Sequence, residues 1–454
     1  MGGPAAAGRR VAIVGGGASG LLTAWMLQDQ HEVVVFEADA RLGGHVRTVP
    51  VAHEDGQVVY AEAGFKYFFD RTNPYMRAVF DLLGMTIEWT DAAMTLPHPK
   101  VASDLVLPPR NARQLALLLS APAALRDLLC LSTLRLAYDE VVTVGDTRTT
   151  IEELLSWRRF PNAAHPFLYS FISSSWGAPM DVMARFPAYN VLALLSSPAA
   201  RYKRVGYLPG GSSSYIEALT RDLARCTLRR GTPVRRVERR RDAWHVSADG
   251  VEERFDAVVL ALPAWHAARI VVGADRWKTT LSAFHRFDAR IAIHRDPSFM
   301  PAERRDWSLS NVSLRRGRTM LTSWEGLRQR RDVFRSWMLP GEAPERLEVD
   351  IAFEHLLVDA DSASHRARLE TLQGRDDLYA VGMYTGDVDC HESCVTSALA
   401  AAERLSPQSP SAARIRRRAE SRAADEERQH RRTVARLTRP LLARLSEPRG
   451  ELST

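Results

Sequence analysis

Lysine is nearly missing from this 454-residue chain: Lys66, Lys100, Lys203 and Lys278 are the only four among 61 basic residues. Arginine supplies the rest, which genome composition explains more simply than function does. Cysteine is as sparse. Cys130, Cys226, Cys390 and Cys394 are too few for a disulfide framework in a chain of this length, which points to a reducing cytoplasm. Cys390, His391 and Cys394 lie close together, but no second Cys/His cluster completes a tetrahedral set, so no metal is expected. No apolar run reaches the roughly 18 residues of a membrane span. The first ten residues lack an apolar segment of their own, so no signal peptide is read. Signatures of a serine hydrolase, a P-loop or a zinc protease are missing too. Nor does the net charge of +7 indicate nucleic acid: residues 406–454 hold 12 Arg against 6 acids, and the rest is near neutral.

What is present is organised around residues 11–44. Val11-Ala12-Ile13-Val14 is an apolar run of the kind a buried parallel strand shows. Gly15, Gly17 and Gly20 follow in G-x-G-x-x-G spacing, then a helical segment, Leu21 to Gln28. A second apolar run, Val33 to Phe36, ends in Glu37. This pattern is a βαβ unit. Gly15 permits the tight turn, Gly17 lets a diphosphate approach the backbone, and Gly20 lets helix pack on strand. The helix N-terminus, with Ala18 and Ser19, turns its N–H groups and positive dipole end to the phosphates. Glu37, followed by Ala38, stands 22 positions after Gly15, where an acid can accept hydrogen bonds from ribose hydroxyls.

The next residues narrow the cofactor. Arg41-Leu42-Gly43-Gly44-His45-Val46-Arg47, closed by Thr48, resembles the R-x-G-G-x-x-x-[ST] extension of two-dinucleotide-binding-domain flavoproteins. These include amine oxidases, phytoene-type desaturases, protoporphyrinogen oxidase and flavin-dependent fatty-acid isomerases. Paired glycines allow close backbone approach, and arginines offer planar, permanently charged donors to phosphate. The resemblance implies that Arg41, Gly43, Gly44 and His45 touch the FAD diphosphate and the approach to the flavin. It implies that Glu62-Ala63-Gly64-Phe65 passes beside the isoalloxazine at Gly64 and Phe65. It gives the Val234 backbone to the adenine and sets Pro263 near the cofactor. A closing turn with Gly386, His391 and Glu392 then aims the following helix at the flavin pyrimidine. The resemblance covers roughly residues 9–405 and is nearest to a bacterial branch described as predicted NAD/FAD-binding proteins, through Trp176, Phe186-Pro187-Ala188 and Leu372-Gln373-Gly374. Relatives carry an apolar residue in place of Lys66 and Asp-Gly in place of Ser393-Cys394.

The expected fold is α/β: a Rossmann-like FAD-binding domain with an inserted α+β substrate domain of helices and antiparallel sheet. FAD-binding parts fall at 9–100, 206–274 and 376–405. Helical and sheet parts of the substrate domain fall at 101–205 and 275–375, with a basic helical tail at 406–454. Helical pieces are read at Leu115–Leu119, Leu125–Leu136, Ile151–Trp157 and Leu192–Leu195. Phe160, Phe167, Phe171, Trp176, Phe186, Tyr189 and Tyr202 add aromatic bulk, mostly as core. Strands are read at Arg290–His294, Thr319–Trp324 and Glu348–Phe353, and a hairpin around Asp249-Gly250. In the tail, Ser406 to Pro410 reads as a linker and Ala412 to Leu437 as a charged helix. That helix is either solvated or in peripheral contact with a membrane or protein.

These readings describe a bacterial, cytoplasmic flavoprotein of secondary metabolism with non-covalent FAD. It removes a hydride from a small, partly apolar molecule (an amine, an unsaturated lipid or a secondary-metabolite intermediate) to flavin N5. Oxygen or another acceptor reoxidises the flavin. One rival is a redox-neutral double-bond isomerase; another is a non-catalytic flavin-binding partner acting through its tail. Lys66 is the candidate catalytic residue, since a desolvated lysine can act as a base or hold a water; its ordinary alternative is a surface ion pair. Trp265 and His266 are read equally as pocket or packing residues.

Overall fold

The computed structural model describes residues 8–425 and 428, apart from 67, 70–72, 99, 158–168, 170–171, 174–175, 177, 179, 196–203, 316–317 and 387–389. At its centre lies a five-stranded parallel sheet. Its order is Cys226–Arg229, Glu32–Phe36, Arg10–Val14, Ala257–Leu260, Leu378–Ala380. Val11 to Val14 and Ala257 to Leu260 are buried throughout, which is why both read as unbroken apolar runs rather than alternating ones. The helix Ala18–Leu27 is buried along its whole length, against the helices Ser213–Asp222 and His391–Leu405. It begins at Ala18 rather than the expected Leu21, because Gly20 lies inside its first turn.

A four-stranded sheet, Val251–Phe255, Ala243–Ala248, Val234–Arg240 and Val271–Val272, extends this body. Its Asp249-Gly250 turn has positive φ at both residues, 49° and 76°, as a tight hairpin requires. A seven-stranded sheet forms the other large layer, in the order Leu347–Leu357, His285–His294, Phe334–Trp337, Arg318–Trp324, Ser310–Arg315, Met94–Leu96, Leu105–Leu107. It contains the three strands read from the sequence and recruits two from much earlier in the chain. On one face Ile293 and Ile351 pack against Val51, Val59, Ala61 and Ala63, the hairpin that leads into Gly64. Phe299, Met300 and Trp307 cover the other face.

Between residues 101 and 205 the described residues include the helices Ala112–Leu119, Pro122–Thr133, Ile151–Trp157, Met180–Ala184 and Ala188–Leu195. Trp176 and Phe186 are core residues whose rings meet at a tilt, 5.3 Å between centroids. Phe160, Phe167, Phe171 and Tyr202 lie outside the described residues.

The tail corrects the expectation of a linker followed by a solvated helix. Ser409 Oγ donates to the Met26 carbonyl, and the chain is helical from 410 to 425. Ala412, Ile415 and Ala419 are buried in the core that holds the first helix. Arg418 and Arg422 both pair with Asp81, and Arg416 pairs with Glu403 at 2.7 Å. The apolar i, i+3, i+7 stripe of this helix was hidden from a reading of charge, because arginines surround it.

Candidate functional site

All the strand ends named as cofactor positions open on one edge of the parallel sheet. Val14 runs into Gly15, Phe36 into Glu37, Leu260 into Ala261 and Pro263, and Ala380 into Gly382. This carboxyl edge is where open α/β sheets bind ligands. Gly17 is the N-cap of the first helix and offers no side-chain cap, so the helix's leading N–H groups are left for a ligand. A Cβ on Gly17 would meet nothing nearer than the Gly44 Cα at 3.8 Å, whereas one on Gly20 would lie 2.0 Å from the Gly15 carbonyl oxygen. Space is therefore open above Gly17 and closed at Gly20, as the two glycines' expected roles require. Gly43 N donates to the Gly16 carbonyl at 2.8 Å, which laces the second glycine pair onto the first.

Glu37 closes the turn. Its Oε2 accepts from Gly16 N at 2.7 Å and its Oε1 from Asp39 N at 2.9 Å. Thr232 N donates to the Glu37 carbonyl and Gly231 N to the Asp39 carbonyl, so the turn that leads into Val234 is laced to the chain on either side of Ala38. Arg41 turns inward: it donates to the carbonyls of Leu42 (3.0 Å), Val46 (2.8 Å) and Gly44 (2.7 Å). The expected phosphate donor is thus first a brace for its own loop, whose carbonyls need partners once the chain doubles back.

Beside that loop, a Cβ on Gly64 would stand 1.6 Å from the His45 carbonyl oxygen, so only glycine fits. His45 is deeply enclosed by protein, and burial pushes its pKa down to about 4; yet its surface is open to solvent, as is that of Gly44. Together these describe groups facing a water-accessible cavity inside the molecule. The His45 ring stacks on Phe353 of the large sheet at 5.2 Å, and His355 lies nearby, in contact with Phe287 and Trp337.

Lys66 meets Glu325 at 2.7 Å, with side-chain exposures of 12% and 5%. Of the two readings of this lysine, desolvated base or surface ion pair, the structure shows an ion pair, and a largely buried one rather than one at the surface. Glu325 Oε2 also accepts from Glu62 N at 3.2 Å. Glu62 itself is buried and accepts from Ser212 N (2.5 Å) and the Thr48 hydroxyl (3.0 Å). Burial, with Glu325 adding, pushes its pKa up to about 8, so it is protonated at neutral pH.

At the closing turn, Gly386 packs against Ser393 and leads to the helix His391–Leu405. The His391 ring stacks on Phe65 at 3.9 Å, and its Nε2 bonds the Tyr215 hydroxyl. Burial pushes its pKa down to about 3, so it is a neutral imidazole. Glu392 does not face the cofactor edge as expected. Its two oxygens accept from Tyr75 N (2.7 Å) and Met76 N (2.9 Å), capping the helix Pro74–Leu82. Trp265 and His266 converge on Glu354, at 2.7 Å and 2.5 Å. Sequence reasoning missed Glu325, Tyr215, Phe353 and His355. A buried lysine calls for an acid, but nothing in a sequence says which of 54 acids supplies it.

Residues 18–290 match the family described as flavin containing amine oxidoreductase. The chain belongs to that family. As a member it is an FAD-dependent oxidoreductase, and the open trough at Gly17, Gly44 and the uncapped helix fits a dinucleotide's phosphates. Carotenoid phi-ring synthase of Streptomyces griseus is 26% identical over 316 residues. The match covers 62% of this chain and spans 59% of that relative's length. Among solved structures, cyclohexylamine oxidase from Brevibacterium oxydans IH-35A aligns with a TM-score of 0.64 at 15% identity, over 88% of this chain and 99% of that one. The CLA-producing fatty acid isomerase from P. acnes aligns with a TM-score of 0.63 at 15% identity, over 87% and 98%. At such identities the likeness is one of fold.

Proposed function

We propose that this amine oxidoreductase family member oxidises a neutral, partly apolar small molecule, an unsaturated lipid or secondary-metabolite intermediate in preference to a charged amine. The observation that carries the preference is the state of the groups beside the cavity. His45 and His391 are neutral, Glu62 is protonated, and Glu325 is committed to Lys66. Phe65 stacks on the His391 ring and Phe353 on the His45 ring, adding apolar surface to both. Such a wall suits an uncharged ligand; a cationic one needs an ionised carboxylate to offset its desolvation.

FAD, when bound, supplies the acceptor for the substrate's hydride. Gly15, Gly17, Ala18, Ser19 and Gly20 with Gly43 and Gly44 would hold its diphosphate, and Glu37, Ala38 and Val234 its adenosine end. Gly64, Phe65, Pro263 and the turn at Gly386 and His391 would flank the flavin. Arg41 shapes the phosphate loop, Glu392 fixes the closing helix, and His391 holds Phe65 in place. The Lys66–Glu325 pair joins the large sheet to the strand beside the flavin, so its task is positioning. We assign non-covalent attachment, a cofactor body of 9–100, 206–274 and 376–405, and a substrate body between those stretches.

The test is the visible spectrum of the purified protein, followed by heat denaturation and identification of the released chromophore. Free FAD is expected. Anaerobic bleaching of that flavin by neutral unsaturated compounds, and not by simple amines, supports the substrate class. Bleaching by amines alone overturns it, and a colourless protein that takes up no FAD overturns the whole reading.

A further inference from the structure

Six of the ten large apolar side chains exposed among the described residues lie between positions 115 and 157. The densest part is a helical hairpin, Ala112–Leu119 and Pro122–Thr133, followed by the single turn Leu134–Leu136. The first arm buries Gln114 and Leu118. Its outward face is Ala112, Leu115, Ala116 and Leu119, an i, i+3, i+4, i+7 stripe with Leu115 48% and Leu119 61% exposed. Leu136, at the end of the second arm, is 68% exposed. The solvent side of a surface helix is ordinarily its polar side; here an apolar stripe faces outward.

Charge identifies what would cover it. From Leu105 to Tyr138 the only acid is Asp127, against Arg110, Arg113, Arg126 and Arg135. Asp127 is 1% exposed in its pair with Arg126, whose side chain is 46% exposed. Arg113 is 42% exposed in its pair with Asp306, which is 5% exposed. In both pairs the guanidinium lies outward and the carboxylate inward, so the border of Leu115 and Leu119 is cationic, and the exposed acids Asp139 and Glu140 come only beyond Leu136, past the hairpin. A second copy would bring the same positive border against itself. We propose that this hairpin rests on an anionic lipid surface, with its leucines at the acyl boundary and its arginines among the phosphates. The inference is independent of the reaction assigned above.

The test is co-sedimentation of the full-length holoprotein with vesicles of phosphatidylcholine alone and of phosphatidylcholine with one-third phosphatidylglycerol. Binding to the anionic vesicles, weakened by salt, is expected. The L115Q/L119Q/L136Q variant should bind at least about tenfold more weakly with its flavin content unchanged. In the unaltered protein, anionic vesicles should slow hydrogen exchange across residues 112–136. Three results overturn the proposal: no binding to either vesicle, equal binding by the variant, or a dimer that the variant converts to monomer without any vesicle binding.

Discussion

Glu62 holds a proton in the folded protein that it loses in the unfolded chain at neutral pH. Its pKa stands at about 8 against an ordinary 4.5, because burial outweighs the hydrogen bonds from Ser212 and Thr48. At about 1.4 kcal/mol per decade of proton affinity, the displacement corresponds to up to about 5 kcal/mol. The sign follows from linkage: the raised pKa favours the fold fully below pH 4.5, progressively less as pH rises, and no longer above about 8. The perturbation is Glu62→Gln, which keeps an acceptor for Ser212 N and cannot ionise. Glu392, raised to about 7, adds a slope of the same sign to both proteins, and the comparison removes it. Urea denaturation of both holoproteins from pH 5 to 9 is the assay. The stability of the wild type relative to E62Q should fall by about 4 kcal/mol across that window, most of it before pH 8. Because Glu62 ties the Ser212 turn to the strand entering Gly64, released-FAD fluorescence should rise with pH in the wild type and less in E62Q. Parallel stability curves would refute the argument, since Glu62 would then be ionised in the fold or exposed to water.

Lys66→Met should cost about 3–5 kcal/mol in urea melts by stranding Glu325, and K66M/E325Q should recover most of it; an unchanged K66M would show that the pair is not buried. Gly17→Ala should leave the apo-protein's melting temperature within about 2 °C, since its Cβ meets nothing within 3.4 Å, yet weaken FAD binding at least about tenfold as measured by fluorescence titration. Gly64→Ala should lose fold stability as well, from the clash with the His45 carbonyl, and equal behaviour of the two alanine variants would sink the distinction. Truncation after Leu405 exposes the surface that Ala412, Ile415 and Ala419 cover and should cost about 3 kcal/mol; a truncated protein of wild-type stability would return the tail to the role of an appended module.

The cofactor half was legible because each requirement there is local. A buried strand, three spaced glycines and an acid are consecutive in the chain, and steric demands at Gly20 and Gly64 admit one residue type. The strands of the large sheet were legible from their β-branched and aromatic runs, but their neighbours were not. Met94–Leu96 pairs with Ser310–Arg315 across more than 200 residues, and no pattern within either strand encodes that choice. Glu392 was misplaced for a related reason. Its position in the closing turn suggested the cofactor, whereas its two oxygens answer the unmet N–H groups of a helix 317 residues earlier.

That helix, Pro74–Leu82, explains why the tail belongs to the enzyme body. Glu392 holds its N-terminus, and Arg418 and Arg422 hold Asp81 near its C-terminus. Two cations at the last turn also complement the helix dipole, as the carboxylate does at the first. The helix is therefore pinned at one end by the element that closes the cofactor edge and at the other by the tail. Arginine density in residues 406–425 is then accounted for by internal partners at Asp81 and Glu403, with the remaining guanidinium groups solvated. A role for this stretch as a free basic arm would require breaking those pairs and uncovering Ile415, which is 0% exposed. The apolar and cationic surface that is already open lies instead on the hairpin Ala112–Leu136, which contacts a surface without any rearrangement of the fold.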